Sequence, residues 1–209
     1  FLKGYGVREI GKAAPVNEQT IFPLASVTKP FTAAAVALLV DDGKVSWDDP
    51  VIKHLPWFRL RDPWVTREAT VRDLVAHRLG DERGANAYIF ETHACGVRAD
   101  EIVRRLHYLD PGPRRFRDRS KYDDVNYLLA GEVVAAVSGM SWAEFVKSRL
   151  LRPLGMTSAA TSPLELWDAK DLRPCPTSNL PSHPVGIEDA RIGNIAMEHV
   201  AGDHGPRAT

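Results

Sequence analysis

Apolar side chains recur along most of the chain with helical spacing. From Ser26 the run FTAAAVALLV continues to two acidic residues at 41–42, and Gly43 follows them. Proline is tolerated in the first turn of a helix, so Pro30 fits this segment. Glycine commonly follows the last turn of a helix. The pattern therefore predicts one long apolar helix that begins at Ser26.

The residues after position 120 carry two further helical patterns. Residues 123–138 form an amphipathic pattern that is followed by Gly139. Residues 141–144 (SWAE) have capping-box spacing, in which a serine and a glutamate side chain satisfy backbone N–H groups at a helix start. The helix after this box is expected to stop before Pro153. Shorter helices are predicted over residues 50–55, 71–78 and 98–109, and from 162 onwards.

Only residues 1–10 (FLKGYGVREI) predict a strand, with Gly4 and Gly6 as candidate bulge positions. Residues 57–70 are predicted to be a loop, and residues 172–209, rich in Pro, Ser, Asn, His and Gly, an irregular tail. A single strand cannot satisfy its own backbone groups. Either short strands lie hidden in the loops, or the pairing strands are missing.

Composition narrows the class of protein. The 209 residues include 44% hydrophobic and 26% charged side chains, and 27 basic residues balance 27 acidic ones. This balance is typical of a soluble globular protein and lacks the basic surplus of a general nucleic-acid binder. No apolar run reaches the roughly 18–20 residues of a membrane span. We therefore expect no nucleic-acid partner and no membrane span, while the pairing of Cys95 and Cys175 stays open.

The helix at Ser26 begins with an S-x-x-K motif that suits nucleophilic catalysis. Residues three apart share a helix face, so the Lys29 amine can reach the Ser26 hydroxyl. A helix start offers free backbone N–H groups and a positive dipole end, which stabilise a developing anion. A lysine among apolar neighbours can act as a base. The alternative is that Ser26 caps the helix and Lys29 is solvated.

Tyr122 and Asp124 form a second candidate motif, directly before the amphipathic helix. A tyrosine beside a Ser-Lys pair can shuttle protons, and a polar side chain two residues later can bind a substrate or hold the lysine. The alternative is a packed aromatic residue at a helix start, with Asp124 favoured there by the dipole. None of the seven histidines pairs at i,i+4, so no metal site is predicted.

Read in order, these segments resemble the serine beta-lactamase and penicillin-binding-protein superfamily, and most closely its class C-like branch. The resemblance rests on GYGVRE, the S-x-x-K run, DDGKVSWDDPVIKHLPWF, TVRDLVAHRLG, the tyrosine motif before NYLLAGEVVAAVSGMSW, and PLGMTSA. It extends from residue 1 to about residue 165. It implies an α/β fold of the α+β type, with an antiparallel sheet flanked by helices. This chain would supply mainly the helical part and an N-terminal strand.

The resemblance also implies roles for the candidate residues. Ser26 would be the acyl-accepting nucleophile, Lys29 its base or proton relay, and Tyr122 a proton shuttle, with Asp124 at the substrate-binding position. The substrate would be a small ester or amide, hydrolysed through an acyl-enzyme without a metal or organic cofactor. Family members are often periplasmic or secreted, and the printed residues carry no signal peptide, so the location and the oligomeric state stay open.

The sequence departs from the family pattern in two places that bear on function. Asp124 stands where the family usually has Asn, and the late strand motif Lys/His-x-Gly, which supplies an oxyanion donor, is not found. We therefore expect 1–209 to be a single, incomplete domain that is poorly soluble or inactive by itself. Robust ester turnover, abolished by Ser26→Ala, would refute this expectation. The alternative function is a non-catalytic or impaired homologue that binds a ligand without turnover.

Overall fold

The computed structural model describes residues 3–8, 10–17, 20–22, 24–80, 98–112, 115–162 and 165. A 3-10 turn, Ala25–Thr28, leads directly into helix α1 (Lys29–Asp41), as the apolar run predicted. Gly43 closes the helix with a positive φ of 70° and donates its N–H to the Val40 carbonyl at 2.9 Å. Glycine adopts this left-handed conformation without the steric cost that a side chain brings.

Six further α-helices follow α1 in the described residues. The predicted helix over 98–109 divides into an α-helix, Ala99–Arg104, and a separate 3-10 turn at Leu106–Tyr108. The helix after the 141–144 box continues as a π-helical turn, Lys147–Leu151, and ends before Pro153 as expected. The helices are α2 (Val51–His54), α3 (Pro63–Glu68), α4 (Val71–Val75), α5 (Ala99–Arg104), α6 (Asp124–Ser138) and α7 (Trp142–Val146).

Side-chain caps explain where several of these helices begin. Asp73 and Glu144 complete capping boxes with the threonine and the serine that precede α4 and α7. Helix α3 lies in the segment that was predicted to be a loop, so that prediction is wrong. Its signal was Asp62 followed by Pro63: the carboxylate accepts the Trp64 N–H at 2.7 Å, and proline is favoured at the first helical position.

Helix α6 is buried along its first eleven residues, 124–134, and therefore differs from the amphipathic helix that was predicted. The reason is its central position: α1, α2, α4, α5 and α7 all pack against it. Asp123 caps its start by accepting the Val125 N–H at 3.0 Å. Among α1, α6 and α7 the Trp142 indole donates a buried hydrogen bond to the Thr32 hydroxyl at 3.1 Å.

The predicted N-terminal strand is not formed in the described residues 3–8. Val7 makes one isolated antiparallel bridge with Pro15, and two backbone hydrogen bonds of 2.9 and 3.1 Å flank it. A strand needs a neighbour along its length to satisfy its N–H and C=O groups, and here the neighbour extends for a single bridge. The described part of the chain is helical and contains no sheet.

Several predictions fall on residues that the structure does not describe. They concern the tail at 172–209, most of the helix from 162 onwards, and both cysteines. The prediction of one domain over 1–209 also stays a prediction.

No single helix in the described ranges combines the length and the apolar character of a membrane span. Residues 124–138 and 142–151 have that length and apolar character only when taken together, and the chain bends by 77° between them.

Candidate active site

Ser26 and Lys29 lie on the same side of the turn that opens α1. Ser26 is exposed, whereas Lys29 is buried, with 5% of its surface accessible. The Lys29 ammonium donates to Ser26 Oγ at 3.2 Å. Ala25, directly before the serine, has a positive φ of 46°, which is uncommon for a residue with a side chain. Burial of Lys29 is at odds with the alternative in which this lysine is solvated.

The phenol of Tyr122 completes a contact triangle with these two side chains. Its hydroxyl is hydrogen-bonded to Ser26 Oγ, and it accepts a hydrogen bond from Lys29 Nζ at 2.6 Å. The ammonium also lies 4.5 Å from the centre of the Tyr122 ring. Tyr122 stays half exposed. The hydroxyl and the amine are thus both within hydrogen-bond reach of the serine oxygen.

Asp124 joins the same cluster from the first turn of α6. Its Oδ1 lies 2.5 Å from Lys29 Nζ, and both side chains are at least nine-tenths buried. An ammonium has three N–H donors and no lone pair. Lys29 directs these donors at Ser26, Tyr122 and Asp124, so it can accept a proton only after it has lost one.

His77 is a site residue that the sequence reasoning did not single out. Its ring packs against the rings of Tyr122 and Tyr127 at centroid distances of 4.9 and 5.0 Å. Its Nδ1 accepts the backbone N–H of Asp123 at 3.1 Å. Burial and the nearby charge of Lys29 lower the pKa of the imidazole from its ordinary 6.5. The TVRDLVAHRLG segment contained this histidine, but nothing in its spacing linked it to Tyr122.

Asp123 lies between the candidate residues Tyr122 and Asp124 and has a structural contact of its own. Its carboxylate caps α6, and burial raises its pKa above the usual range, although the Val125 N–H acts in the opposite direction. In the described ranges, no group of three or more His, Cys, Asp or Glu side chains is arranged to hold a metal ion. The cluster around Ser26 itself offers a hydroxyl, a phenol, an amine and a carboxylate.

Comparison with known families gives one match that covers most of the chain. The Beta-lactamase family model matches residues 1–188. Among curated relatives, the unguisins hydrolase ungD' of Aspergillus campestris is 32% identical over 177 residues, which are 81% of this chain and 32% of that protein. The teichoic acid D-alanine hydrolase of Staphylococcus aureus is 27% identical, over 82% of this chain and 39% of its own. The chain thus spans roughly a third of the length of these relatives.

Solved structures show the same likeness in three dimensions. The D-amino acid amidase of Ochrobactrum anthropi, crystallised with L-phenylalanine, superposes with a TM-score of 0.68 at 25% sequence identity. The match covers 95% of this chain and 57% of the amidase. The described helices therefore have neighbours with the beta-lactamase and transpeptidase-like fold.

Proposed function

The chain belongs to the beta-lactamase family of serine hydrolases, and we propose that it transfers the acyl group of a small ester or amide to Ser26 and then to water. One observation carries this proposal: Lys29 Nζ lies within hydrogen-bond distance of both Ser26 Oγ and the Tyr122 hydroxyl. A nucleophile and a base at hydrogen-bond distance are the minimum arrangement for covalent acyl transfer.

In the proposed first step Ser26 Oγ attacks the carbonyl carbon, and its proton moves to the phenolate form of Tyr122 or to the neutral amine of Lys29. The carbonyl π electrons move to oxygen and form an oxyanion, which the free N–H groups at a helix start stabilise. Collapse of this intermediate breaks the bond to the alcohol or amine, which takes up the proton as it leaves. Ser26 then carries the acyl group as an ester.

In the second step a water molecule attacks the acyl-enzyme. Its proton passes to Lys29 or Tyr122, the bond to Ser26 Oγ breaks, and the serine recovers a proton. The carboxylic acid product leaves, and the enzyme returns to its starting state. The same proton carriers therefore serve both halves of the reaction, and neither half requires a metal or an organic cofactor.

Asp124 favours a narrower choice of substrate. A carboxylate beside the lysine repels an anionic group on the substrate and offers no amide N–H to a substrate carbonyl. This supports hydrolysis of neutral or cationic esters and amides over hydrolysis of beta-lactam antibiotics, which carry a carboxylate. The amidase and the D-alanine hydrolase among the similar proteins are consistent with such substrates.

The contact between Lys29 and Asp124 also favours a second candidate function. Lys29 Nζ lies 2.5 Å from a buried carboxylate, and an ammonium in such an ion pair has no lone pair with which to accept a proton. A chain in this state would bind a ligand, or be acylated, with little turnover. The two candidates differ in whether product appears after Ser26 has reacted.

Covalent labelling separates these candidates. We would treat the purified 209-residue chain with a fluorophosphonate probe, locate the adduct by peptide mass spectrometry, and follow hydrolysis of a p-nitrophenyl ester in parallel. Ser26→Ala should abolish labelling, whereas the matched control Ser120→Ala, at an exposed serine before Tyr122, should retain it. Labelling with turnover supports the hydrolase, and labelling without turnover supports the second candidate. An unlabelled Ser26 in folded protein rules out both acylation schemes.

A further inference from the structure

His77 forms hydrogen bonds with the backbone on both sides of Tyr122. Its carbonyl accepts the backbone N–H of Lys121 at 2.9 Å, and its Nδ1 accepts the backbone N–H of Asp123 at 3.1 Å. Its ring lies against the Tyr122 ring between these two bonds, with the planes tilted by 34°. One residue thus contacts the backbone of the residue before the tyrosine, the backbone of the residue after it and the aromatic side chain itself.

The backbone conformation of His77 is suited to these contacts. It has a positive φ of 56°, a conformation in which histidine, asparagine and aspartate are enriched among residues with side chains. The next residue, Arg78, accepts the Arg117 N–H at 2.9 Å and so anchors an earlier part of the same loop. The turn after α4 therefore forms a fixed support for the loop that carries Tyr122.

We propose that neutral His77 is a positioning residue that holds the Tyr122 hydroxyl at Ser26 and Lys29, an inference that rests on the proposed role of Tyr122 in proton transfer. The direction of the hydrogen bond defines the required state. A backbone N–H can only donate, so Nδ1 must be unprotonated and the ring proton must lie on Nε2. Protonation of Nδ1 would break this bond and place two donors face to face.

The surroundings of the ring determine how this contact responds to pH. Burial and the positive charge of Lys29 lower the imidazole pKa, so the neutral form and its hydrogen bond persist at and above pH 6.5 and are lost as the pH falls further. Negative charge nearby acts in the opposite sense. The titratable groups that face the ring are Lys29 from α1, Asp123, Asp124 and Tyr127 from the start of α6, and Tyr122.

Two substitutions test the acceptor atom and the aromatic ring of His77 separately. His77→Phe keeps an aromatic ring but removes the acceptor, which leaves the Asp123 N–H without its partner. His77→Asn loses the ring but offers an amide oxygen close to the position of Nδ1, and asparagine tolerates the positive φ. His54→Asn is the matched control, because the largely buried His54 bonds Asp49 and not the loop that carries Tyr122. All four proteins are compared in the full 209-residue chain.

The first readout is kinetic. A displacement of about 1 Å at a reacting group can cost on the order of 100-fold in rate. We expect His77→Phe to lower the rate of fluorophosphonate labelling of Ser26 by about 10- to 100-fold, with KM for an ester nearly unchanged, and His77→Asn to recover most of the loss. The acid limb below pH 6.5 should lose its imidazole component in His77→Asn but not in His54→Asn. Labelling of Ser26 in His77→Phe at the rate of the unmodified chain would overturn the inference.

The second readout does not depend on activity. In 15N-histidine NMR spectra at neutral pH, His77 should show an unprotonated Nδ1 and a protonated Nε2, with ring cross-peaks to Tyr122. A protonated Nδ1, or the absence of contact with the Tyr122 ring, would overturn the inference. If wild-type Ser26 is not labelled, the proposed function fails, and these spectra still decide whether His77 holds Tyr122.

Discussion

Replacing Asp124 with asparagine removes a carboxylate from beside the Lys29 ammonium while nearly preserving the shape of the side chain. The two groups are 2.5 Å apart and almost fully buried, so water screens their attraction little. The carboxylate favours the charged form of the lysine, which cannot act as a base. Asparagine at this position can still accept a hydrogen bond, but carries no charge. We therefore expect Asp124→Asn to raise ester hydrolysis.

The size of the effect follows from the contact that is lost. A hydrogen bond to a charged group contributes about 1.5–3 kcal/mol, and one between neutral groups about 1 kcal/mol. The difference is about 0.5–2 kcal/mol, which corresponds to about a 2- to 30-fold change in rate if the contact opposes the proton transfer of the proposed reaction. Hydrolysis of a p-nitrophenyl ester should therefore accelerate by about 2- to 30-fold near neutral pH.

The assay needs a control for the loss of one negative charge near the site. Asp123→Asn provides it, because asparagine is as good a helix cap as aspartate and the Asp123 carboxylate bonds the Val125 N–H, whereas the Asp124 carboxylate bonds the amine. kcat, KM and the pH–rate profile of both variants would be compared with those of the unmodified chain. An unchanged or lower rate in folded Asp124→Asn would refute the reasoning, as would an equal gain in Asp123→Asn.

Three further predictions concern the helical core. Burial raises the pKa of Glu132 to about 7, so the free energy of unfolding measured with urea should fall by about 3 kcal/mol as the pH rises from 4.5 through 7. Glu132→Gln should reduce this dependence of stability on pH, and an identical dependence in both proteins would contradict the prediction. Burial opposes ionisation of Asp73, yet hydrogen bonds from Arg117 hold its pKa below the ordinary value. Asp73→Asn should therefore cost about 1–3 kcal/mol near pH 7 and clearly less below pH 3.8, whereas equal losses at both pH values would exclude the ion pair as the cause. Trp142→Phe should lower the free energy of unfolding by about 1–2 kcal/mol, because it leaves the buried Thr32 hydroxyl without its donor. If that hydrogen bond is the cause, Trp142→Phe should destabilise the chain less when Thr32→Val is already present, whereas additive losses would exclude it.

The sequence patterns located the helices well where a local signal exists. The apolar run of α1 and the capping box before α7 are local, since a few neighbouring residues define the hydrogen bonds involved. The amphipathic prediction for α6 was wrong because exposure depends on how many neighbours surround a helix, which no local period records. The strand predicted over residues 1–10 is not formed in the described residues 3–8 for a similar reason, because a strand depends on a partner elsewhere in the chain.

The residues of the candidate site show the same difference between local patterns and contacts that form only in the fold. Ser26 and Lys29 could be paired from their spacing alone, since three residues make almost one helical turn. Their proximity to Tyr122, 93 to 96 residues further on, came from the resemblance to a family and is visible as geometry only in the fold. His77 was missed because its contacts run through backbone groups of the neighbouring loop, which any residue type supplies.

Asp124 has a physical reason to be where it is. Lys29 begins α1, and an ammonium is disfavoured at the positive end of a helix dipole and costly to bury alone. Asp124 begins α6, where the dipole favours a carboxylate, and it neutralises the buried lysine. Its charge therefore supports the fold, because it pairs with a buried cation. Under the proposed mechanism the same contact opposes proton transfer to Lys29. We therefore expect Asp124→Asn to gain ester hydrolysis and to lose stability, so that the two properties change in opposite directions.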